Sequence, residues 1–417
     1  MKFIVAFSLL LITLLRVTIS QARTLTWSEA VRLAQENSLE YQAALANYKS
    51  VEELEISGSS GFLPKLSASV SGTQSGAPET ATTSSYTTQL SLSQNVFSGL
   101  SDINNYFLKK TNTKSALTVL NSVKSKLSQE LKQTYAEVYY IQDYKKLVTD
   151  ILKRRIENNN NVKLQYNIGK ENKGSWLQAL SYVESAEFDV LKAQHDQDAD
   201  ITNLKRVLGI LEDEPISVTD DIPKEELKDQ SPDFNLIASR HPDVLIAQLD
   251  ETAALCSAQI TRAQFLPSLD LSGAYGYTGS SFLPEQNKWS VSLTLSIPIF
   301  EGFKTYSNYR SLNSKYAGSR FTAKNTLDKI TGIIKQSFYT YTEAIMAEKI
   351  SESFSRAAKL RAEVARKKYK NGFLNFEEWD IVETDLIARQ KDVLISKKNR
   401  IIKQSLWEQA QGIGVFQ

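Results

Sequence analysis

Two alternating stretches decide the fold: residues 86–97, YTTQLSLSQNVF, and residues 289–300, WSVSLTLSIPIF. In both, mainly apolar or aromatic side chains occupy every second position, with small polar side chains between them. A period of two is typical of a β-strand that has one apolar and one polar face. A shorter alternating strand and a polar loop precede each stretch. We therefore predict one β-hairpin in 64–98 and a second in 267–300.

The two predicted hairpins carry very little charge, with two charged side chains in 64–98 and three in 267–300. Strands of about ten residues with one apolar face and aromatic ends are typical of transmembrane β-barrels. A soluble hairpin packed on helices is the alternative. In lipid, the open edges of four strands would find no hydrogen-bond partners. A barrel therefore requires several copies to pool their strands, and the strand count by itself allows two, three or four copies.

The sequence repeats itself at a constant offset of 203 residues, as from Phe62 to Phe265. The recurring pairs include Phe62-Leu63-Pro64 with Phe265-Leu266-Pro267, Gly99 with Gly302, Tyr166 with Tyr369, Gly169 with Gly372, and Trp176 with Trp379. Because the offset does not drift, we interpret the chain as an internal duplication. The predicted parts are a first repeat over 23–211, a proline-containing and acidic linker over 212–233, and a second repeat over 234–417.

Long helices are predicted after each hairpin. Neither 100–211 nor 303–417 contains proline, and apolar residues recur about every 3.6 positions. A helix over 100–168 would be about 100 Å long, at a rise of about 1.5 Å per residue. Gly169 and Gly372 predict turns between antiparallel helices, since helix C-terminal caps favour positive φ. The predicted fold class is mainly α with a membrane β part, built from a helix, a β-hairpin, a long helix and a second helix, present twice.

Residues 1–22 predict export. They combine Lys2, an apolar core of 13 residues, and the small residues Ser20 and Ala22 at positions −3 and −1 of a cleavage site. The core is too short to span a bilayer as a helix. We predict a signal peptide, with a retained signal anchor as the alternative. No later apolar stretch approaches the length of a transmembrane helix.

The composition excludes several function classes. Lys and Arg number 49 against 47 Asp and Glu, which gives no electrostatic case for a nucleic-acid partner. One cysteine and two histidines exclude a disulfide framework and argue against a zinc site. No catalytic constellation is present, so we predict no enzyme activity, no cofactor and no metal. The basic run over 397–400 is interpreted as a solvated helix face.

The order of elements, and five short motifs, resemble the TolC-like outer membrane efflux protein family over 23–417. The motifs are Phe62-Leu63-Pro64, Val96-Phe97-Ser98-Gly99, Ile299-Phe300-Glu301-Gly302, Tyr166-Asn167-Ile168-Gly169 and Tyr369-Lys370-Asn371-Gly372. The resemblance implies a homotrimer, in which a twelve-strand β-barrel shared in the outer membrane joins a trimeric α-barrel that crosses the periplasm.

The resemblance also implies a function. The chain would be the passive exit duct of a tripartite efflux or type I secretion system, whose helix turns meet a periplasmic adaptor protein and an inner-membrane transporter. The alternative is a structural periplasmic coiled-coil protein without a membrane pore. The implied adaptor-contact tip comprises six residues: Tyr166, Gly169, Lys170, Tyr369, Asn371 and Gly372.

The resemblance places a pore constriction near the second turn. An acidic residue six positions beyond Gly372 points into the opening in the family, and that position is Glu378 here; Glu377, Asp380 and, in the first repeat, Ser175 complete the expected constriction. A ring of carboxylates would favour cations and repel anions. A solvated helix residue is the alternative for Glu378. Two positions depart from the family pattern, Leu374 and Ile381, so the resemblance does not carry over a salt-bridged latch.

Overall fold

The computed structural model describes residues 23–76, 82–210, 216–219, 222–224 and 231–416. The predicted signal peptide and most of the predicted linker lie outside the described residues.

The described residues are mainly helical, as the sequence predicts. The first half of the chain contains, in order, β1 (Arg23–Leu25), α1 (Trp27–Asn37), α2 (Leu39–Ser57), β2 (Lys65–Ser75), β3 (Thr83–Phe97), α3 (Ser101–Asn167) and α4 (Lys173–Leu208). The second half contains β4 (Ile216–Val218), α5 (Phe234–Ser239), α6 (Pro242–Ala263), β5 (Ser268–Gly279), β6 (Gln286–Ser296), α7 (Lys304–Lys370) and α8 (Phe376–Ala410).

Corresponding elements of the two halves begin 203 residues apart. Ser101 opens α3 and Lys304 opens α7, and each of these helices has 67 residues. The same offset relates the described residues that have a positive φ, which are Gly99 and Gly302, Leu100 and Phe303, Gly169 and Gly372, and Gly209 and Gly412. The backbone therefore changes direction at equivalent places in both halves.

The four long helices lie side by side in the order α4, α3, α8, α7. The α3–α8 contact joins the two halves, and α4 and α7 form the two sides of the chain. The shorter helices α2 and α6 occupy equivalent positions in the two repeats but have different packing partners. Helix α6 packs on both α3 and α7 and has buried side chains, whereas α2 packs on α3 and has none.

Strands β2, β3, β5 and β6 form one antiparallel sheet in that order. The two hairpins are joined through β3 and β5, and Leu90 lies opposite Tyr275 in the ladder. Among the described strands, β2 and β6 each have one partner, so one edge of each is open.

The core of the chain lies away from this sheet. The largest buried cluster surrounds Leu131, Tyr135 and Leu204, where α1, α3 and α4 pack against the small parallel pair formed by β1 and β4. A second cluster around Phe338 and Trp407 packs α5 against α7 and α8. Within the described part of the chain, no helix combines the length and the apolar character needed to cross a bilayer.

Candidate functional site

One face of the four-stranded sheet is apolar and exposed. Its side chains form rows across the strands, such as Leu90, Tyr275 and Trp289, which are successive partners in the register. The most exposed members include Trp289 at 72%, Val291 at 70% and Leu293 at 65%. A continuous apolar surface of this kind on a single chain indicates contact with lipid or with another molecule.

The opposite face of the sheet is lined by small polar side chains. Ser93, Ser272 and Ser292 form one row across three strands. Asn95 donates a hydrogen bond from Nδ2 to Oδ1 of Asp270 over 2.9 Å, at the place where the ladder shifts its register. The sheet therefore has one side suited to lipid and one suited to water.

At their ends remote from the sheet, α3 and α7 both terminate in the same hydrogen-bonded cap. The Gly169 N–H donates to the Tyr166 carbonyl and the Lys170 N–H to the Gln165 carbonyl. The second turn repeats this pattern, and Gly372 has a φ of 76° against 72° at Gly169. This is a Schellman cap, which glycine favours because its φ is positive.

An aromatic pair fixes each turn to the helix that follows it. The Tyr166 ring stacks on Trp176 with centroids 5.4 Å apart, and the Tyr369 ring stacks on Trp379 at 5.0 Å. Burial, with a smaller contribution from the nearby Glu171 carboxylate, raises the pKa of Tyr369 to about 12. The structure therefore brings the tip residues predicted from sequence into two capped turns, on which Lys170 is exposed.

The residues predicted for the constriction occupy two different environments. Glu377 and Glu378 are exposed in the first turn of α8. Glu378 forms a capping box with Asn375: its N–H donates to Asn375 Oδ1 over 2.8 Å, and the Asn375 N–H donates to its carboxylate over 3.2 Å. Asp380 and Ser175 are buried within the chain. Their role at a pore stays a prediction, and the single chain leaves only the two glutamates free to face an opening.

Asp380 belongs to a buried group of ion pairs that the sequence did not reveal. Its Oδ1 accepts from Arg155 over 2.9 Å across the α3–α8 contact. Glu383, whose side chain is 1% exposed, accepts from Arg154 over 2.9 Å and from Arg366 over 3.1 Å. The guanidinium of Arg155 also lies 4.3 Å from the centre of the Tyr182 ring. No local signal marks these residues, because Arg154 and Glu383 are 229 positions apart.

Charged side chains also cross the α3–α8 contact further from the tip. The Lys398 ammonium lies 4.6 Å from the centre of the Tyr140 ring, and Lys391 lies 5.8 Å from that of Tyr144. The interpretation of the basic run over 397–400 as a solvated face is wrong for Arg400, whose side chain is 17% exposed and donates to Glu348 over 2.8 Å.

Comparison with known proteins agrees with this architecture. The sequence is 25% identical over 364 residues to the alkaline protease secretion protein AprF of Pseudomonas aeruginosa, which covers 80% of this chain and 71% of AprF. The fold is similar to that of the outer membrane protein VceC from Vibrio cholerae, with a TM-score of 0.82, 17% identity, and coverage of 93% and 96% of the two chains.

A second solved structure is similar to the same degree. The MtrE outer membrane channel of Neisseria gonorrhoeae in its open state gives a TM-score of 0.81 at 18% identity, over 96% of this chain and 94% of that one. The model of the outer membrane efflux protein family matches residues 30–210 and 234–403. This protein therefore belongs to the outer membrane efflux protein family.

Proposed function

We propose that three copies of this outer-membrane protein form one passive exit duct for a secretion or efflux system. In this proposal the sheets close into a twelve-strand barrel in the outer membrane, and the long helices form a tube across the periplasm. The observation that carries the proposal is the four-stranded sheet, which has an exposed apolar face and an open edge on both β2 and β6. Pooling strands removes the open edges, which lipid cannot satisfy.

The dimensions of the helices support a duct that bridges two compartments. Helices α3 and α7 have 67 residues each, which corresponds to about 100 Å at a rise of about 1.5 Å per residue. The proposed signal peptide, 1–22, would export the chain. A passive duct supplies no energy of its own, so in this proposal it would depend on an inner-membrane transporter and a periplasmic adaptor protein.

The two capped turns are the proposed contact with the adaptor. They are exposed and share one hydrogen-bonding pattern, so one adaptor surface could recognise both. Glu377 and Glu378 lie in the first helical turn of α8, directly after the second capped turn. Their carboxylates would line the opening of the assembled tube. In that position a ring of acids would favour cations over anions.

The similarity to AprF is the basis for the cargo that we propose. AprF is an alkaline protease secretion protein, which supports a polypeptide cargo and a type I secretion system. Small-molecule efflux is the second candidate, and it rests on the family.

The test of the membrane barrel is a charge on the apolar face of β6. We expect Leu293→Arg to prevent assembly in the outer membrane, because an arginine at the bilayer midplane of a barrel costs about 2–4 kcal/mol. The matched control is Ser292→Arg on the neighbouring position of the same strand, which faces the polar side. Membrane fractionation and extraction of heat-modifiable oligomers give the readout. Equal assembly of both variants would show that this face does not meet lipid.

A further inference from the structure

The loop between β5 and β6 exposes large apolar side chains. It spans residues 280–285, SSFLPE, and we call it the β5–β6 loop. Phe282 is 77% exposed and Leu283 is 78% exposed. Loops that face water are built mainly from glycine, proline and small polar residues. Two adjacent apolar side chains that the single chain leaves this uncovered indicate a contact with another molecule.

The β5–β6 loop folds over the apolar face of the sheet. Side chains alternate between the two faces of a strand, so Tyr86 lies on the same face as Leu90, and its ladder partner Gly279 faces the same way. The Phe282 ring meets the Tyr86 ring edge-on, with centroids 5.9 Å apart. A Cβ added to Gly279 would lie 3.2 Å from the Pro284 Cα. Both contacts place the loop on the apolar side of the sheet.

Two glycines make room for this arrangement. Tyr86 lies between Gly72 of β2 and Gly279 of β5 in the register. A Cβ added to Gly72 would lie 3.0 Å from two carbons of the Tyr86 ring, so the ring covers Gly72. The Ser281 hydroxyl donates to the Leu283 carbonyl over 3.0 Å, which satisfies one backbone acceptor of the turn. The loop is therefore held against the sheet by defined contacts.

The position of the loop matches the edge of a membrane barrel. The helices join the sheet at the opposite end, so the loop lies at the end remote from them. Gly279 follows Leu269 by ten positions on β5, which is about 33 Å along the strand and about 25 Å of height at a tilt of about 40°. The apolar band of such barrels is also about 25 Å tall. Tyr275, Tyr277 and Trp289 lie close to this end of the sheet, where barrels carry a girdle of aromatic residues.

We infer that the β5–β6 loop inserts Phe282 and Leu283 among the acyl chains at the outer surface of the outer membrane. Lipid is the occupant because the loop is continuous with the apolar face of the sheet, and one partner has to cover both. The loop therefore leans away from the mouth of the duct and acts as an apolar anchor beside it. This inference rests on the proposed barrel and specifies what one of its loops contacts.

The test is the accessibility of a nitroxide spin label in the full chain with Cys256→Ala, which removes the one native cysteine. The labelled oligomer is reconstituted in vesicles of phosphatidylethanolamine and phosphatidylglycerol. Oxygen concentrates in the acyl chains, whereas a nickel chelate present on both sides of the vesicle stays in water. We expect a label at Phe282→Cys to collide more with oxygen than with nickel. Leu293→Cys on the apolar face is the lipid control, and Ser292→Cys on the polar face is the water control.

The outcomes separate this inference from the proposed function. The oxygen-to-nickel ratio of the Phe282→Cys label should approach that of Leu293→Cys and exceed that of Ser292→Cys several-fold. Nickel access at 282, with Leu293→Cys still in lipid, would overturn the loop contact and leave the barrel intact. A label at 282 that neither reagent reaches would place the loop against protein and would also overturn the contact.

Nickel access at both 282 and 293 would overturn the loop contact and the proposed barrel together. If Phe282→Cys impairs assembly, Leu283→Cys repeats the measurement with the Phe282 ring in place, and it should give the same high ratio of oxygen to nickel.

Discussion

The α3–α8 contact can be compared with its counterparts in the repeat, which are the surfaces of α7 and α4 whose residues lie 203 positions away. The backbone is the same, but the side chains are charged in the α3–α8 contact and apolar on α4. Inside the chain, Arg155 pairs with Asp380 and Arg154 with Glu383, and three of these four side chains are buried. On α4, the positions equivalent to Asp380 and Glu383 are the exposed Leu177 and Leu180. The repeat thus keeps its geometry while exchanging ion pairs for apolar side chains.

The difference follows from what each contact has to supply. A buried ion pair contributes little net free energy of association, because the desolvation of both charges offsets their attraction. Apolar surface contributes about 25 cal/mol per Å² removed from water. Helices α3 and α8 are joined covalently and need alignment more than affinity. A helix face that binds a separate molecule gains more free energy of association from leucine and phenylalanine, because their apolar surface is removed from water.

The largest expected effect comes from breaking the inner contact. We expect Glu383→Gln to destabilise the protein by about 1.5–3 kcal/mol, because Arg154 and the more exposed Arg366 would both lose the charged acceptor of a hydrogen bond. Thermal unfolding in detergent, followed by circular dichroism, measures this. The control is Asp385→Asn: this carboxylate is 30% exposed, against 1% for Glu383, and its partners Arg361 and Arg389 are 65% and 40% exposed. Its loss should cost less than about 1 kcal/mol. Similar losses for both variants would contradict a special role for the inner contact.

Gly99 and Gly302 are equivalent in the repeat, but only Gly99 is covered within the single chain. Substituting each of them tests whether a neighbouring copy covers Gly302 in the oligomer. Gly99→Ala and Gly302→Ala both place alanine at positive φ, which costs about 1–2 kcal/mol. Gly99→Ala also forces a methyl group against the Ala263 carbonyl. In dissociated chains we therefore expect the Gly99 variant to melt at the lower temperature. In the oligomer the two melting temperatures should approach each other, and a persistent gap would show that Gly302 stays uncovered.

The two tip turns differ in the number of capping bonds. Asn375 makes both bonds of a capping box with Glu378, whereas Asn172 accepts one bond, from the Ser175 N–H over 2.9 Å. We expect Asn375→Ala to cost about 1 kcal/mol and Asn172→Ala slightly less. Hydrogen exchange at the first turns of α4 and α8 measures the two losses separately. A larger loss at Asn172 would contradict this ranking.

The last expected effect, of similar size, depends on pH. Burial, together with Glu137, raises the pKa of Asp200 on α4 from 3.8 to about 6, although Lys398 opposes the shift. The folded state therefore binds this proton more tightly than the unfolded state, and the charged form at neutral pH lowers the free energy of unfolding. Because Asp200 is half-buried, we expect Asp200→Asn to stabilise the protein by roughly 1 kcal/mol at pH 7.

That difference should shrink as the pH falls from 6 and should vanish below about 4, where Asp200 is protonated in both states. Melting temperatures of the variant and the parent between pH 7 and pH 4 give the comparison. A stabilisation that is constant with pH would assign the effect to something other than the titration of Asp200.

Local pattern was sufficient for the long helices, their turns and the hairpin strands, but it did not predict β1, β4 or α5. The absence of proline and the 3.6-residue period predicted a helix over 100–168, and α3 spans Ser101–Asn167. The glycines at 169 and 372 marked both caps, because only a residue tolerant of positive φ ends a helix in this way. The alternation in 86–97 and 289–300 marked β3 and β6, although β3 begins earlier, at Thr83, and β6 spans Gln286–Ser296 and so ends before 300.

Contacts between the halves could not be predicted in this way. Pairs such as Arg155 with Asp380 and Arg154 with Glu383 join residues that are far apart in the chain and have no periodic signature. For the same reason, Asp380 resembled an exposed pore acid in the sequence and is buried in the single chain.

The sequence by itself determined the long helices, the alternating strands, the constant offset of 203 residues and the positions of the turns, because each depends on local backbone preferences and on side-chain period. Only the tertiary structure decided that β3 pairs with β5, that α3 packs on α8, and which acids remain free at the tip. Those outcomes depend on which surfaces meet after the chain folds back on itself, and charges distant in sequence become partners only once water has been excluded between them.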